Sequence, residues 1–171
     1  MLTKNAKNFI LRALMRSAGT GTSDPALWDS FKLTNAGGTS ITTGYDYGIA
    51  NSFINSLNHM ATVAGSDATT YIKCGTGTTE ATENDYQLEA DATGLTCDSV
   101  ATAISANDTK TYTATFSNST ANAITVAEMG FFCCSYTGNY YDNFLLDHII
   151  LDTPITIPAG ESKPITYEIG F

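Results

Sequence analysis

The sequence predicts a mainly β protein, an antiparallel β-sandwich with an N-terminal amphipathic helix and a second helix before the sheet. Three observations lead there. Apolar residues recur every three or four positions in residues 4–17 and again in 49–60, which is helical spacing. From Thr69 onward the pattern alternates with period two, as strands with one buried face require. Short turn signals separate the strands, so successive ones pair antiparallel, most simply in two layers.

The elements follow in chain order. Thr3 is placed to cap a first helix in which Ala6, Phe9, Ile10, Ala13, Leu14 and Ser17 share a face, with Lys4, Lys7, Arg12 and Arg16 mostly opposite and Gly19 as the stop. Residues 19–44 read as a loop or linker with short extended pieces, marked by Asp24-Pro25 and Gly37-Gly38. Thr42 or Thr43 can cap the second helix, which presents Ile49, Phe53, Leu57 and Met60 and ends at Gly65. Strands are predicted at Thr69–Cys74, Ser99–Ser105, Thr109–Asn118, Ala123–Cys134, Phe144–Leu151 and Ile165–Phe171. Within the third of these, Tyr112, Ala114 and Phe116 point one way and Thr111, Thr113 and Thr115 the other. Gly75 and Gly77 are read as positive-φ residues of a sharp turn. This divides the chain into a basic helix and linker, 1–41, and a helix plus antiparallel sandwich, 42–171.

Composition narrows the function classes. With 43% hydrophobic and 15% charged residues over 171 positions, the chain can bury a core, and its surface is covered by Thr, Ser, Asn and Gly rather than by charge. The net charge is −9, but residues 1–23 hold Lys4, Lys7, Arg12 and Arg16 without an acid, leaving 4 bases against 17 acids, a balance of −13. An acidic body disfavours nucleic acid as partner. No apolar run of about 20 residues exists, so no membrane insertion is expected. Arg12 and Arg16 interrupt the stretch that would otherwise resemble a signal peptide. The four cysteines are then read as reduced.

No reactive motif emerges. His59 and His148 lie in a helix and a strand, not beside a nucleophile elbow, and each is read as a surface or packed ring. Cys133-Cys134 points to opposite faces of a strand and has no zinc spacing. Both Gly-Thr-Gly-Thr stretches lack the Lys-Ser/Thr of a phosphate loop. Asp142, Asp147 and Asp152 are read as a solvated rim. Neither a catalytic residue, a cofactor nor a metal is assigned, and the protein is not expected to be an enzyme. Contact residues are expected on the helix, at Lys4, Lys7, Phe9, Ile10, Arg12, Leu14 and Arg16, and at Tyr136, Tyr140 and Tyr141 around a hairpin tip, since Tyr contributes contact area at low entropic cost.

Taken together, Thr42–Leu57, the turn Gly75-Thr76-Gly77-Thr78-Thr79, the strand Glu128-Met129-Gly130-Phe131-Phe132, the run Pro154-Ile155-Thr156-Ile157-Pro158-Ala159-Gly160 and the terminal Ile165–Ile169 resemble a recurring domain of tailed-bacteriophage structural proteins. The resemblance covers about 130 residues, Thr42–Phe171, and departs at Cys74, Cys133 and Cys134, where that group has apolar residues. It implies a virion component of the tail, fibre, collar or head-decoration type, assembled in the host cytoplasm, with other virion proteins as partners and a homo-oligomeric state. The alternative is a module that binds host-surface glycans through the tyrosines.

Overall fold

The computed structural model describes residues 1–17, 33–41, 69–104, 109–136 and 141–170. They form one helix, α1 (Lys4–Ser17), and eight strands: β1 (Leu33–Thr34), β2 (Ser40–Ile41), β3 (Thr69–Gly75), β4 (Leu95–Ile104), β5 (Thr109–Asn118), β6 (Ile124–Tyr136), β7 (Tyr141–Ile157) and β8 (Ser162–Gly170). The protein is mainly β, and among the described residues all strand pairs are antiparallel. The expected second helix lies outside the described residues.

Two three-stranded sheets carry the architecture, in the orders β3-β6-β7 and β4-β5-β8, with β1-β2 as a small hairpin. Alternation assigns the faces. Ile72, Cys74, Met129, Phe131, Cys133, Phe144 and Leu146 of the first sheet share one buried cluster with Tyr112, Ala114, Phe116, Ile165 and Tyr167 of the second. The rings of Tyr112 and Phe131 meet at 5.1 Å across it. Tyr71, Phe132, Cys134 and Leu145 point to the opposite face of the first sheet, where Leu88 covers them and Ala36 packs alongside. That sheet is therefore apolar on both faces, and Cys133 and Cys134 do point to opposite sides.

The N-terminal segment belongs to this core. Thr3 Oγ1 accepts from the Ala6 N–H at 3.4 Å, the N-cap geometry expected of it. The same hydroxyl donates to the Leu145 carbonyl at 2.7 Å and so ties the helix start to β7. Asn5 reads the edge of β1 both ways, donating to Thr34 O at 2.7 Å and accepting from Thr34 N at 2.8 Å. Ala6, Phe9 and Leu33 are buried in the main cluster. Helix, hairpin and sheets thus bury the same apolar surface.

Candidate functional site

The polar residues that the fold brings together sit on the outer face of the first sheet, beneath the segment linking β3 to β4. Glu128 follows Val126 and Ala127 in β6 and is fully buried, although a carboxylate out of water is costly unless every lone pair finds a donor. It finds four, close to the capacity of a carboxylate. Oε1 accepts from Gly77 N at 3.0 Å and Ala90 N at 2.8 Å; Oε2 accepts from Glu89 N at 3.0 Å and contacts His148 Nε2 at 2.8 Å.

His148 is equally enclosed. Its Nδ1 lies 2.7 Å from Asp85 Oδ2, and Asp85 in turn accepts from the Thr82 N–H and hydroxyl at 2.8 and 2.7 Å. An ionised carboxylate only accepts, so both ring nitrogens must carry hydrogen for both contacts to be hydrogen bonds. Burial works to raise the Asp85 carboxyl, but the bonds from Thr82 and His148 outweigh it and hold it below the usual range. Glu89 is held down by the Thr79 N–H and hydroxyl and the Thr78 N–H.

The turn glycines answer to this glutamate. Positive φ among the described residues occurs at Gly38, Gly94 and Gly160, not at Gly75 or Gly77. A Cβ on Gly75 would run into Glu128 Oε1 and come within 2.6 Å of the Ala90 carbonyl; on Gly77 it would meet Oε1 and Glu89 Cβ at 2.5 Å. The turn is glycine-rich so that its backbone can lie against a buried carboxylate, which corrects the conformational reading of these residues. Gly130, two residues beyond Glu128, leaves the space that Leu88 enters: a Cβ there would sit 2.8 Å from Leu88 Cδ2.

A bulge in β7 distributes its polar residues. Phe131 pairs with Asp147 but Phe132 with Leu145, so Leu146 is an extra residue in the ladder. Asp147 consequently faces the inter-sheet side, where it accepts from the Tyr167 hydroxyl at 2.6 Å and meets the Met1 amine at 2.8 Å. His148 faces the clasp. Asp147 is thus a buried residue and not part of a solvated rim. Burial, reinforced by Asp147, pushes the Tyr167 hydroxyl far above its ordinary value.

The arrangement as a whole is a clasp: Glu128, His148 and Asp85, from two strands and a loop, hold the connection 76–92 on the sheet. A cleft of about 290 Å³ beside it is lined by Thr79, Asn84, Asp85, Tyr86, Glu89 and His148. A larger one, about 470 Å³, runs between β3 and the start of β4, with the Lys73–Asp91 ion pair (2.5 Å) on its wall. Among the described residues no group of three or more His, Cys, Asp or Glu side chains is placed to hold a metal ion.

The expected contact residues fall elsewhere and are divided. Lys7 Nζ pairs with Glu83 Oε2 at 2.6 Å and Lys4 Nζ donates to Asn84 Oδ1 at 2.5 Å, so both engage the acidic loop of their own chain. Phe9 is wholly buried in the main cluster, edge-on to Phe144 at 5.3 Å. Ile10 is exposed. Arg12, Leu14 and Arg16 lie in α1, with side chains outside the described part. Tyr136 and Tyr141 are register partners at the end of the β6–β7 hairpin, with Tyr141 exposed, and Tyr140 lies outside the described residues. Sequence reasoning passed over Glu128, Asp85 and Glu89. The available signal was an acid within the apolar run Val126–Phe132, two residues from a glycine, where a strand between two apolar faces has no solvent to offer it.

No family model, curated protein or solved structure matches this chain. No helix among the described residues is long and apolar enough to cross a membrane.

Proposed function

We propose that this protein is a structural component of a bacteriophage virion, a tail, fibre, collar or head-decoration subunit that acts through contacts with other virion proteins. The observation supporting this most is the clasp. The glycines of the Gly-Thr-Gly-Thr-Thr turn and the glutamate of the Glu-Met-Gly-Phe-Phe strand, the most distinctive pieces of the phage resemblance, form one physical unit whose bonds are all internal. Motifs that serve a framework are what a scaffold would share. We infer further that the two sheets close as a β-sandwich, since their facing residues share one buried cluster. Particles carrying the encoding genome should, after gradient purification, contain the chain at a fixed ratio to the major capsid protein. Its absence from intact particles would overturn the reading.

The alternative, a module for host-surface glycans, draws on the hairpin end. Tyr136 and Tyr141 are register partners there, and Tyr141 is exposed. A glycan array probed with the full chain and with Tyr141→Ala decides it: binding that the substitution removes supports the module, and no binding at high protein concentration eliminates it.

A further inference from the structure

Sheet edges are where one chain can add backbone hydrogen bonds to another, and proteins normally block them with charge, proline, bulges or covering segments. Among the described residues the two sheets have four edges, and three are managed. The outer edge of β7 is taken by the N-terminal segment and the small hairpin: Thr3 N donates to Leu146 O at 3.0 Å, His148 N to Met1 O at 3.2 Å and Ala36 N to Asn143 O at 2.7 Å. The edge of β3 is closed at its end by the returning loop, where Ala92 N donates to Cys74 O at 2.9 Å and Thr76 N to Ala90 O at 2.7 Å. The edge of β8 carries Lys163, Pro164 and Glu168 within its span.

Among the described residues, β4 has none of these devices along its second half. After the irregularity between Cys97 and Ser99 it reads Ser99-Val100-Ala101-Thr102-Ala103-Ile104, without charge or proline. Ser99, Ala101, Thr102 and Ala103 are exposed. Thr102 is the telling residue. It stands opposite Tyr112, which is buried, yet it is itself open to solvent, so the core-facing side of β4 is uncovered there.

We propose that this half of β4 is a subunit interface, at which β4 of a second copy of the chain adds antiparallel across a two-fold axis and joins the two β4-β5-β8 sheets into one. This rests on the assembly reading and names the surface it would use. The occupant follows from charge. Two copies at −9 each repel over most of their surface, whereas a two-fold pairing along Ser99–Ile104 brings only uncharged residues together. Six residues span roughly 20 Å at about 3.3 Å each, which is a small contact of the transient class, so the dimer is expected to depend on concentration.

The test is sedimentation velocity on the full chain over a concentration series up to about 1 mM, with hydrogen exchange at the two ends of the series. A dimer should grow in with concentration while the β4 amides, and not those of β8, become protected. Ala101→Asp with Ala103→Asp should remove the dimer. Thr166→Asp with Ser162→Asp, the same added charge at exposed positions of β8, should leave it. A chain that stays monomeric throughout overturns the proposal, and so does an oligomer whose β4 amides gain no protection. The exchange measurement uses the unaltered chain and stays decisive if the Ala101→Asp variant fails to fold. Particle association is measured separately, so a monomer found in virions would refute this interface without touching the assembly reading.

Discussion

His148 Nε2 lies 2.8 Å from Glu128 Oε2, a diagonal contact in which His148 stands opposite Gly130, two residues along β6 from the glutamate. The missing side chain at Gly130 matters on this face, because it admits Leu88 and lets the loop close over the pair. One strand position without a Cβ thus couples a hydrophobic contact to a buried polar one.

Removing Glu128 leaves three backbone N–H groups and an imidazole facing a void, so Glu128→Ala should cost about 3–5 kcal/mol, the range for breaking a buried pair by deleting one partner. His148→Ala should fall at the lower end of it, since three of the four donors to Glu128 remain. The double variant should lose less than the two singles together, with a coupling of about 0.5–3 kcal/mol. Urea unfolding of the four proteins measures this. Losses that add would show the two residues to be energetically independent.

Gly75→Ala and Gly77→Ala should each destabilise by about 1–3 kcal/mol through overpacking, because the added carbon meets the Glu128 carboxylate and, at Gly75, a backbone carbonyl that cannot rotate away. Gly160→Ala meets nothing within 4 Å but sits at φ 72°, so its cost is conformational, about 1 kcal/mol. Combining Gly77→Ala with Glu128→Ala separates the two mechanisms: the glycine substitution should cost less in that background, keeping the part due to Glu89 Cβ at 2.5 Å, while Gly160→Ala should cost the same in both. Thermal unfolding of the set reads the difference.

These glycines also mark where sequence reading stops. Thr3 as a cap and the alternation Tyr112, Ala114, Phe116 are local signals, and α1 and β5 begin or run where those signals put them. β7 was expected over Phe144–Leu151 and extends over Tyr141–Ile157. Its register jumps from Ile150 opposite Glu128 to Ile155 opposite Val126, and the residues in between, Pro154 among them, leave the ladder, which no period-two pattern announces. The hairpin at 33–41 read as linker because what fixes it, Asn5 on Thr34 and Leu33 in the core, comes from elsewhere in the chain. Glu128 is the sharpest case. An acid in an apolar strand is visible in sequence, but its donors lie 20 to 51 residues away, so the clasp appears only when the sheet is assembled.

The loop acids predict how stability depends on pH. Lys7, by hydrogen bond and charge, holds Glu83 below its ordinary value; Asp85 and Glu89 are lowered by the bonds described above. A carboxyl depressed in the folded state contributes stability that is present above its unfolded pKa, about 3.9 for Asp and 4.3 for Glu, and is lost as pH falls through the lower folded value. Unfolding midpoints in urea should therefore hold from about pH 7 to 5 and drop below about pH 4. Asp85→Asn should make the acid limb shallower. An acid limb of unchanged slope in that variant would remove Asp85 from the account.

The cysteines give the last prediction. Burial pushes the Cys74 thiol up to about 12, with Cys97 adding to the shift, and raises Cys97 and Cys133 as well. Only the thiolate attacks an alkylating reagent, so at pH 7–8 about one Cys74 in 10⁴ or fewer is reactive even before access is counted. All four cysteines are buried: Cys74 in β3, Cys133 and Cys134 in β6, and Cys97 in β4. Labelling of the native chain by iodoacetamide should therefore be slow at all four and rise abruptly at the urea concentration that unfolds it, as read by intact mass. Labelling of Cys97 ahead of the other three would show β4 opening on its own, as an edge strand held on one side by β5 can; simultaneous labelling would show both sheets opening as one unit, the behaviour their shared core predicts.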